Sequence, residues 1–253
     1  MKVIKDKYNS PNFDNREDAI IDMLVIHSTH LSFAETMDRL CSSKAKVSCH
    51  YVIDLNGEVY RVVKDQHRAW HAGVSYWRGR DEINNYSIGI ELVDTDEENV
   101  RITKFHPKQM DSLILLCTSI ITKYDIPPYN VVAHSDIAPS RKDDPGEEFN
   151  WKLLVKNNIG IYPDADLQKS TKNTLIKYND QGAEVVKLQQ LFAEYGYKIS
   201  VDGVFDEETQ DTVIAFKRHF YPDQVNDIMD TTALGVLENI VKQLRAYTTN
   251  HFA

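Results

Sequence analysis

Runs of apolar residues separated by polar turns divide the chain into two stretches of different period. Asp22-Met-Leu-Val-Ile-His27 is a short apolar run ending on polar residues, the pattern of a buried strand. Tyr86 to Val93 and Tyr129-Asn-Val-Val-Ala-His134 read the same way. His50-Tyr-Val-Ile-Asp54 and Glu58-Val-Tyr-Arg-Val-Val63 flank Asn56-Gly57, a pair that tolerates positive φ and so predicts a hairpin. Two helices interleave with these strands. One runs from Ser32 to Ser42, with Ser32 as N-cap and Glu35 three residues later. The other runs from Pro107 to Tyr124, with Met110, Leu113, Cys117 and Ile120 at helical spacing behind a first-turn proline. Residues 1–162 thus predict an α/β domain, a mixed central sheet flanked by helices.

From Pro163 to Lys177 the pattern dissolves into polar residues, read as a linker over 163–177. Beyond it Val185, Leu188, Leu191, Phe192 and Tyr195 fit one helix face. Asp206 is a good N-cap for a second helix carrying Val213, Phe216 and Phe220, and Leu234, Leu237, Ile240, Val241 and Leu244 form a third. Residues 178–253 are expected to form a small three-helix all-α domain with its own core.

Composition narrows the function classes. At 42% hydrophobic and 26% charged residues, the chain has the balance of a soluble globular protein. A net charge of -9 without a dense Lys/Arg block argues against nucleic acid or an anionic membrane as partner. No stretch approaches the ~20 apolar residues of a membrane span. Cys41, Cys49 and Cys117 are too few and too irregular for a disulfide framework, although a Cys41–Cys49 bridge stays open. The N-terminus lacks the apolar core of a signal peptide, which argues for the cytoplasm or for a leader already removed.

His27 closes one buried strand and His134 another, and Asp144 lies in the loop ten residues after His134. Two imidazoles and a carboxylate are a normal ligand set for catalytic zinc, with the fourth position left for water. Positions this far apart equally describe two strand-end histidines and a turn aspartate before Pro145.

Five segments then occur in order: Val25-Ile-His-Ser-Thr29, Ser48-Cys-His-Tyr-Val-Ile-Asp-Leu-Asn-Gly57, Ala69-Trp-His-Ala-Gly73, Ser87-Ile-Gly-Ile-Glu91, and Ala133-His-Ser-Asp-Ile-Ala-Pro139 continuing through Arg141-Lys-Asp-Asp-Pro-Gly146. Over roughly residues 10 to 160 the chain resembles the zinc-dependent N-acetylmuramoyl-L-alanine amidases of the second type, related to phage amidases and peptidoglycan recognition proteins. Val201-Asp-Gly-Val-Phe-Asp-Glu-Glu-Thr209 with Ala215-Phe-Lys-Arg-His-Phe220 resembles the three-helix peptidoglycan-binding module.

The resemblance implies zinc on His27, His134 and Asp144, with Glu91 as catalytic glutamate and Lys142 as catalytic lysine. Without it, Glu91 reads as an ion-paired strand residue and Lys142 as a solvated loop charge. Some relatives carry a tyrosine where this chain has Cys49, so no role is carried onto that residue. Trp70, His71 and His50 are expected at the substrate groove, His30 and His67 at its rim, and His106, His219 and His251 on the surface.

The expected activity is hydrolysis of the amide between the lactyl group of N-acetylmuramic acid and L-alanine, with peptidoglycan or muropeptides as partner. A wall-binding module argues for the cell envelope, against the missing leader. A non-cutting binding protein and a hydrolase of a peptide–peptide bond are the rival readings. The complete His27, His134 and Asp144 set favours an enzyme over a mere binder.

Overall fold

The computed structural model describes residues 2–98, 100–102, 104–164 and 175–252. The chain opens with β1 (Val3–Ile4) and β2 (Phe13–Asn15), followed by β3 (Met23–Ser28) and α1 (Phe33–Cys41). The hairpin β4 (Tyr51–Ile53) and β5 (Val59–Arg61) leads to β6 (His67–Ala69), β7 (Tyr76–Trp77), β8 (Arg80–Asp81) and β9 (Ser87–Leu92). After α2 (Pro107–Tyr124) come β10 (Val131–Ala133), the single turn α3 (His134–Ile137) and α4 (Trp151–Val155). The second half holds β11 (Leu175–Ile176), α5 (Ala183–Tyr195), α6 (Glu207–Phe220), β12 (Met229–Asp230) and α7 (Thr231–Phe252). Among the described residues no helix is long and apolar enough to cross a membrane.

Six strands form one sheet in the order β1-β5-β4-β9-β3-β10. Only the β4–β5 hairpin is antiparallel in it; the other four pairings are parallel. The expected turn is present, with Gly57 at φ 83°, and the carbonyl of Lys108 lies where a Cβ on Gly57 would sit. Side chains alternate across the sheet. Leu24, Ile26, Ile88 and Ile90 meet Leu113, Leu116, Cys117 and Ile120 of α2 on one face. On the other face Val52 and Tyr60 pack on Met37 and Leu40 of α1.

The rest of that second face departs from the expectation of two separate cores. Met23, Val25 and Val132 join Trp77, Ile83 and Ile137 in a cluster that runs on into Leu188, Phe192, Phe216 and Leu237 of the helical half. Periodicity shows that a helix has an apolar face; it does not show what covers that face. Of the expected linker over 163–177, residues 165–174 lie outside the described residues, while Leu175–Ile176 pair antiparallel with Met229–Asp230. All three cysteines are free thiols, so the Cys41–Cys49 bridge is not formed.

Candidate metal centre

The site lies at the carboxyl ends of three adjacent parallel strands, where open α/β sheets place their ligands. The in-register pairing of β3 with β9 sets His27 beside Glu91, and β10 ends immediately before His134. The 138–146 loop returns Asp144 to them, held by a hydrogen bond from the Ser135 amide to the Asp144 carbonyl at 3.1 Å. His27, His134 and Asp144 are 1%, 4% and 7% exposed, so three polar side chains are buried together. His27 Nδ1 lies 2.9 Å from His134 Nδ1 and 3.2 Å from Asp144 Oδ2, and His134 Nδ1 lies 3.0 Å from the same oxygen.

The surrounding hydrogen bonds fix which ring nitrogens carry protons. His134 Nε2 faces the carbonyl oxygen of Ala72 at 3.2 Å; a carbonyl only accepts, so Nε2 bears a hydrogen and Nδ1 is the nitrogen whose lone pair can serve a ligand. For His27 the argument starts two residues away. Ser87 Oγ donates to the Ile83 carbonyl at 2.7 Å, which leaves it to accept from His71 Nε2 at 3.1 Å. His71 Nδ1 then accepts from His27 Nε2 at 3.0 Å, and His27 Nδ1 is left with its lone pair. Burial and the neighbouring His134 lower the pKa of His27 to about 4, which keeps this ring neutral at pH 7. Burial likewise takes His71 well below the usual range, with His27 and His50 adding to the effect.

Burial alone would raise the pKa of Asp144, yet its close contacts with the His134 and His27 rings hold it well below the usual carboxylate range. Three lone-pair donors therefore converge within 4.8 Å of one another. Packed this closely they repel, and a cation between them resolves the conflict.

Glu91 and Lys142 line the same cleft of about 360 Å³ as His71, His134 and Asp144. Glu91 Oε2 has no hydrogen-bond partner among the described residues. Burial first, and then the Asp144 charge, push the Glu91 pKa up to about 8, against an opposing pull from Lys142.

The other groove expectations divide. His71 reaches the cleft wall, but its ring nitrogens are used by His27 and Ser87. The structure does not bring His50 to the cleft. Its ring is fully buried, accepts from the Gly89 amide at 3.0 Å and contacts the His67 carbonyl at 3.0 Å. Trp70 is half-buried and stays outside the lining, donating from Nε1 to Asp14 Oδ2 at 2.7 Å. His30 does stand at the cleft rim, whereas His67 stacks on Phe13 away from it. His219 corrects its expected surface position: it is 2% exposed and bonded to Asp136. His106 is exposed and caps α2, and the side chain of His251 lies outside the described residues.

Cys49 is buried, bonded to the Tyr51 carbonyl at 3.2 Å, and burial raises its thiol well above the ordinary value, so it makes no nucleophile with His50.

Several positions at the site carried no sequence signal. Arg39 and Thr36 of α1 line the cleft, a role their helical spacing does not announce. Asn84 Oδ1 accepts from the His71 and Ala72 amides at 3.0 and 2.8 Å and so aims the Ala72 carbonyl. Arg141 donates to the Ala72 carbonyl at 3.2 Å and to the Val74 carbonyl, tying the same loop to the Asp144 loop.

Residues 16–147 match the N-acetylmuramoyl-L-alanine amidase family, and residues 181–237 match the peptidoglycan binding domain family. Over 234 residues, 88% of this chain and 83% of the relative, the sequence is 36% identical to N-acetylmuramoyl-L-alanine amidase AmiD of Escherichia coli (strain K12). The structure is similar to that of AmiD from E. coli in complex with the substrate anhydro-N-acetylmuramic acid-L-Ala-D-gamma-Glu-L-Lys, with a TM-score of 0.76 at 33% identity, covering 94% of this chain and 93% of that one. It is also similar to AmpDh3 from Pseudomonas aeruginosa in complex with anhydromuramic pentapeptide, with a TM-score of 0.76 at 30% identity over 94% and 97% of the two chains.

Proposed function

Because the chain belongs to the N-acetylmuramoyl-L-alanine amidase family, we propose that it hydrolyses the amide between the lactyl group of N-acetylmuramic acid and L-alanine with zinc at His27, His134 and Asp144. Its substrates are peptidoglycan and the muropeptides released from it. The observation that carries this reading is the convergence of three lone-pair donors beside Glu91 and Lys142 in one cleft.

The donor set fits the ion. Ligands about 2.05 Å from a tetrahedral zinc stand about 3.3 Å apart, close to the 2.9, 3.0 and 3.2 Å spacings found here. Held by these three residues, zinc would supply a Lewis acid and would lower the pKa of the attacking water to about 7. Glu91, at the cleft wall, accepts the proton of the attacking water and returns it to the departing alanine amine. Lys142 presents its ammonium to the carbonyl oxygen as negative charge builds there. The imidazole of His71 holds His27 in the tautomer that ligates.

We place the catalytic domain over residues 1–162 and the wall-binding domain over 178–253, joined by 163–177. Attachment of the helical domain to the polymer raises the local concentration of scissile bonds at the cleft. A wall polymer as partner supports a location in the cell envelope.

Digestion of a defined anhydromuramoyl tripeptide, read by mass spectrometry, tests the assignment. The expected products are the intact tripeptide and the free sugar acid, with turnover abolished by a chelator and restored by zinc. Cleavage within the peptide, or binding without cleavage by the zinc-loaded protein, overturns it.

A further inference from the structure

The helical half reaches the metal site through one buried carboxylate. Asp136 lies two residues after the ligand His134, in the turn α3, and is 1% exposed. Its Oδ2 accepts from the Ala133 amide at 2.8 Å, closing the turn that carries His134. Its two other donors come from the far half of the sequence. Tyr197, just after α5, donates from its hydroxyl to Oδ1 at 2.7 Å, and His219, near the end of α6, donates from Nδ1 to Oδ2 at 2.7 Å. All three side chains are at most 2% exposed. The His219 ring is held between the rings of Trp151 and Phe220, with centroids 3.7 and 3.8 Å away, and Tyr197 packs edge-on against Trp77 at 5.2 Å. Both donors are shut off from solvent in the folded chain.

We propose that Tyr197 and His219 are positioning residues for the metal ligand His134, acting through Asp136, so that the helical half completes the catalytic centre besides binding the wall. This rests on the amidase reading above. A buried carboxylate stripped of two of three donors is under-satisfied and turns toward any other partner. It then releases the Ala133 amide, and the turn that sets the direction of the His134 ring loosens. His27, on β3, is untouched by this change, while Asp144 feels it only through the Ser135 amide of the same turn, which donates to the Asp144 carbonyl at 3.1 Å. The consequence is weaker metal binding at an intact fold.

The test uses the full chain. Tyr197→Phe and His219→Phe keep the rings and remove the donors; His219→Asn keeps a donor near the position of Nδ1. Zinc affinity is measured by competition with a chromophoric chelator. Amide exchange over residues 133–137 is followed in the metal-free protein, and kcat and KM on a soluble muropeptide are read separately.

The double variant Tyr197→Phe/His219→Phe is expected to bind zinc about 10-fold more weakly or worse, the magnitude typical of lost outer-shell support. It should exchange faster at Ala133 to Ile137 and lose kcat with KM little changed. His219→Asn should recover most of the affinity lost in His219→Phe. Zinc affinity and kcat within twofold of the parent in a folded double variant overturn the proposal, as does failure of His219→Asn to recover what His219→Phe loses. Should the double variant not fold, the two single variants read the same quantities with one donor left in place. A parent protein that neither binds zinc nor cuts the muropeptide would instead count against the amidase reading itself.

Discussion

At the scale of single residues, the proposed metal ligands and the proposed proton carrier are displaced in opposite directions. His27 and Asp144 have folded-state pKa values displaced toward the forms that ligate, a neutral imidazole and an ionised carboxylate. Glu91 is displaced the other way, to about 8, because it is buried beside a second carboxylate. Its protonated form is therefore favoured by folding. Above the ordinary carboxylate range the unfolded chain has released that proton while the folded one still keeps it. The folded state thus loses stability as pH rises from about 4.5 to about 8. Glu91→Gln cannot ionise and should escape this loss. In urea unfolding of metal-free protein, the stability difference between Glu91→Gln and the parent should grow across that window and level off above it. A difference independent of pH would mean that Glu91 titrates normally. With zinc bound, the same variant should keep its metal and lose turnover by roughly 10²–10⁴-fold, as removal of a general base does. Lys142→Ala should lose roughly 10²–10³-fold with the metal retained.

At the scale of elements, the strands and their register decide what each side chain can reach. Gly89 lies on β9, and a Cβ built there would sit 2.5 Å from Cγ and 2.6 Å from Nδ1 of the His71 ring. The strand carries glycine because the imidazole that orients His27 occupies that space. Gly89→Ala should push His71 off His27 and weaken zinc binding by about 10–100-fold, as second-shell changes do, although Gly89 touches no ligand itself. An unchanged zinc dissociation constant would show that His71 does not set the His27 tautomer.

This level also marks where the sequence was legible. The α1 capping box at Ser32 and Glu35, the Asn56-Gly57 hairpin, the full span of α2 and the strands that carry His27 and lead into His134 are all local patterns, and the structure forms each of them, with β3 running on to Ser28 and β10 stopping at Ala133. The groove residues were harder. His50 and His71 look alike in sequence, and only the pairing of β4 and β9 shows that His50 is sealed under the sheet while His71 reaches His27. The two-residue strands β1, β7, β8, β11 and β12 have no period to detect and exist because a partner strand is present.

At the scale of the whole molecule, the two halves meet over an interface built like an interior. Trp77 is fully buried with Tyr195 and Tyr197 edge-on to its ring, at 5.5 and 5.2 Å. The Arg78 amide donates to the Gly196 carbonyl at 2.9 Å, and its guanidinium donates to the Tyr195 carbonyl at 2.6 Å. The contact is close because residue 196 is glycine: a Cβ there would lie 2.6 Å from Arg78 Cγ. Cutting the chain after residue 164 would remove these partners and bare Trp77, Ile83 and Ile137 on the sheet side, while Asp136 would lose the donors Tyr197 and His219. Two lost buried hydrogen bonds cost about 2–6 kcal/mol, before any newly exposed apolar surface is counted. For a fragment of this size that is a fall in melting temperature of roughly 5–20 °C. The sheet and α2 keep their own core, so the fragment is expected to retain far-ultraviolet circular dichroism in proportion to its elements while binding a hydrophobic dye that the full chain excludes. Differential scanning calorimetry and dye fluorescence on residues 1–164 and on the full chain check both expectations. A fragment that melts within a degree or two of the full chain and binds no dye would show that the helical domain only rests against the sheet and lends it no stability.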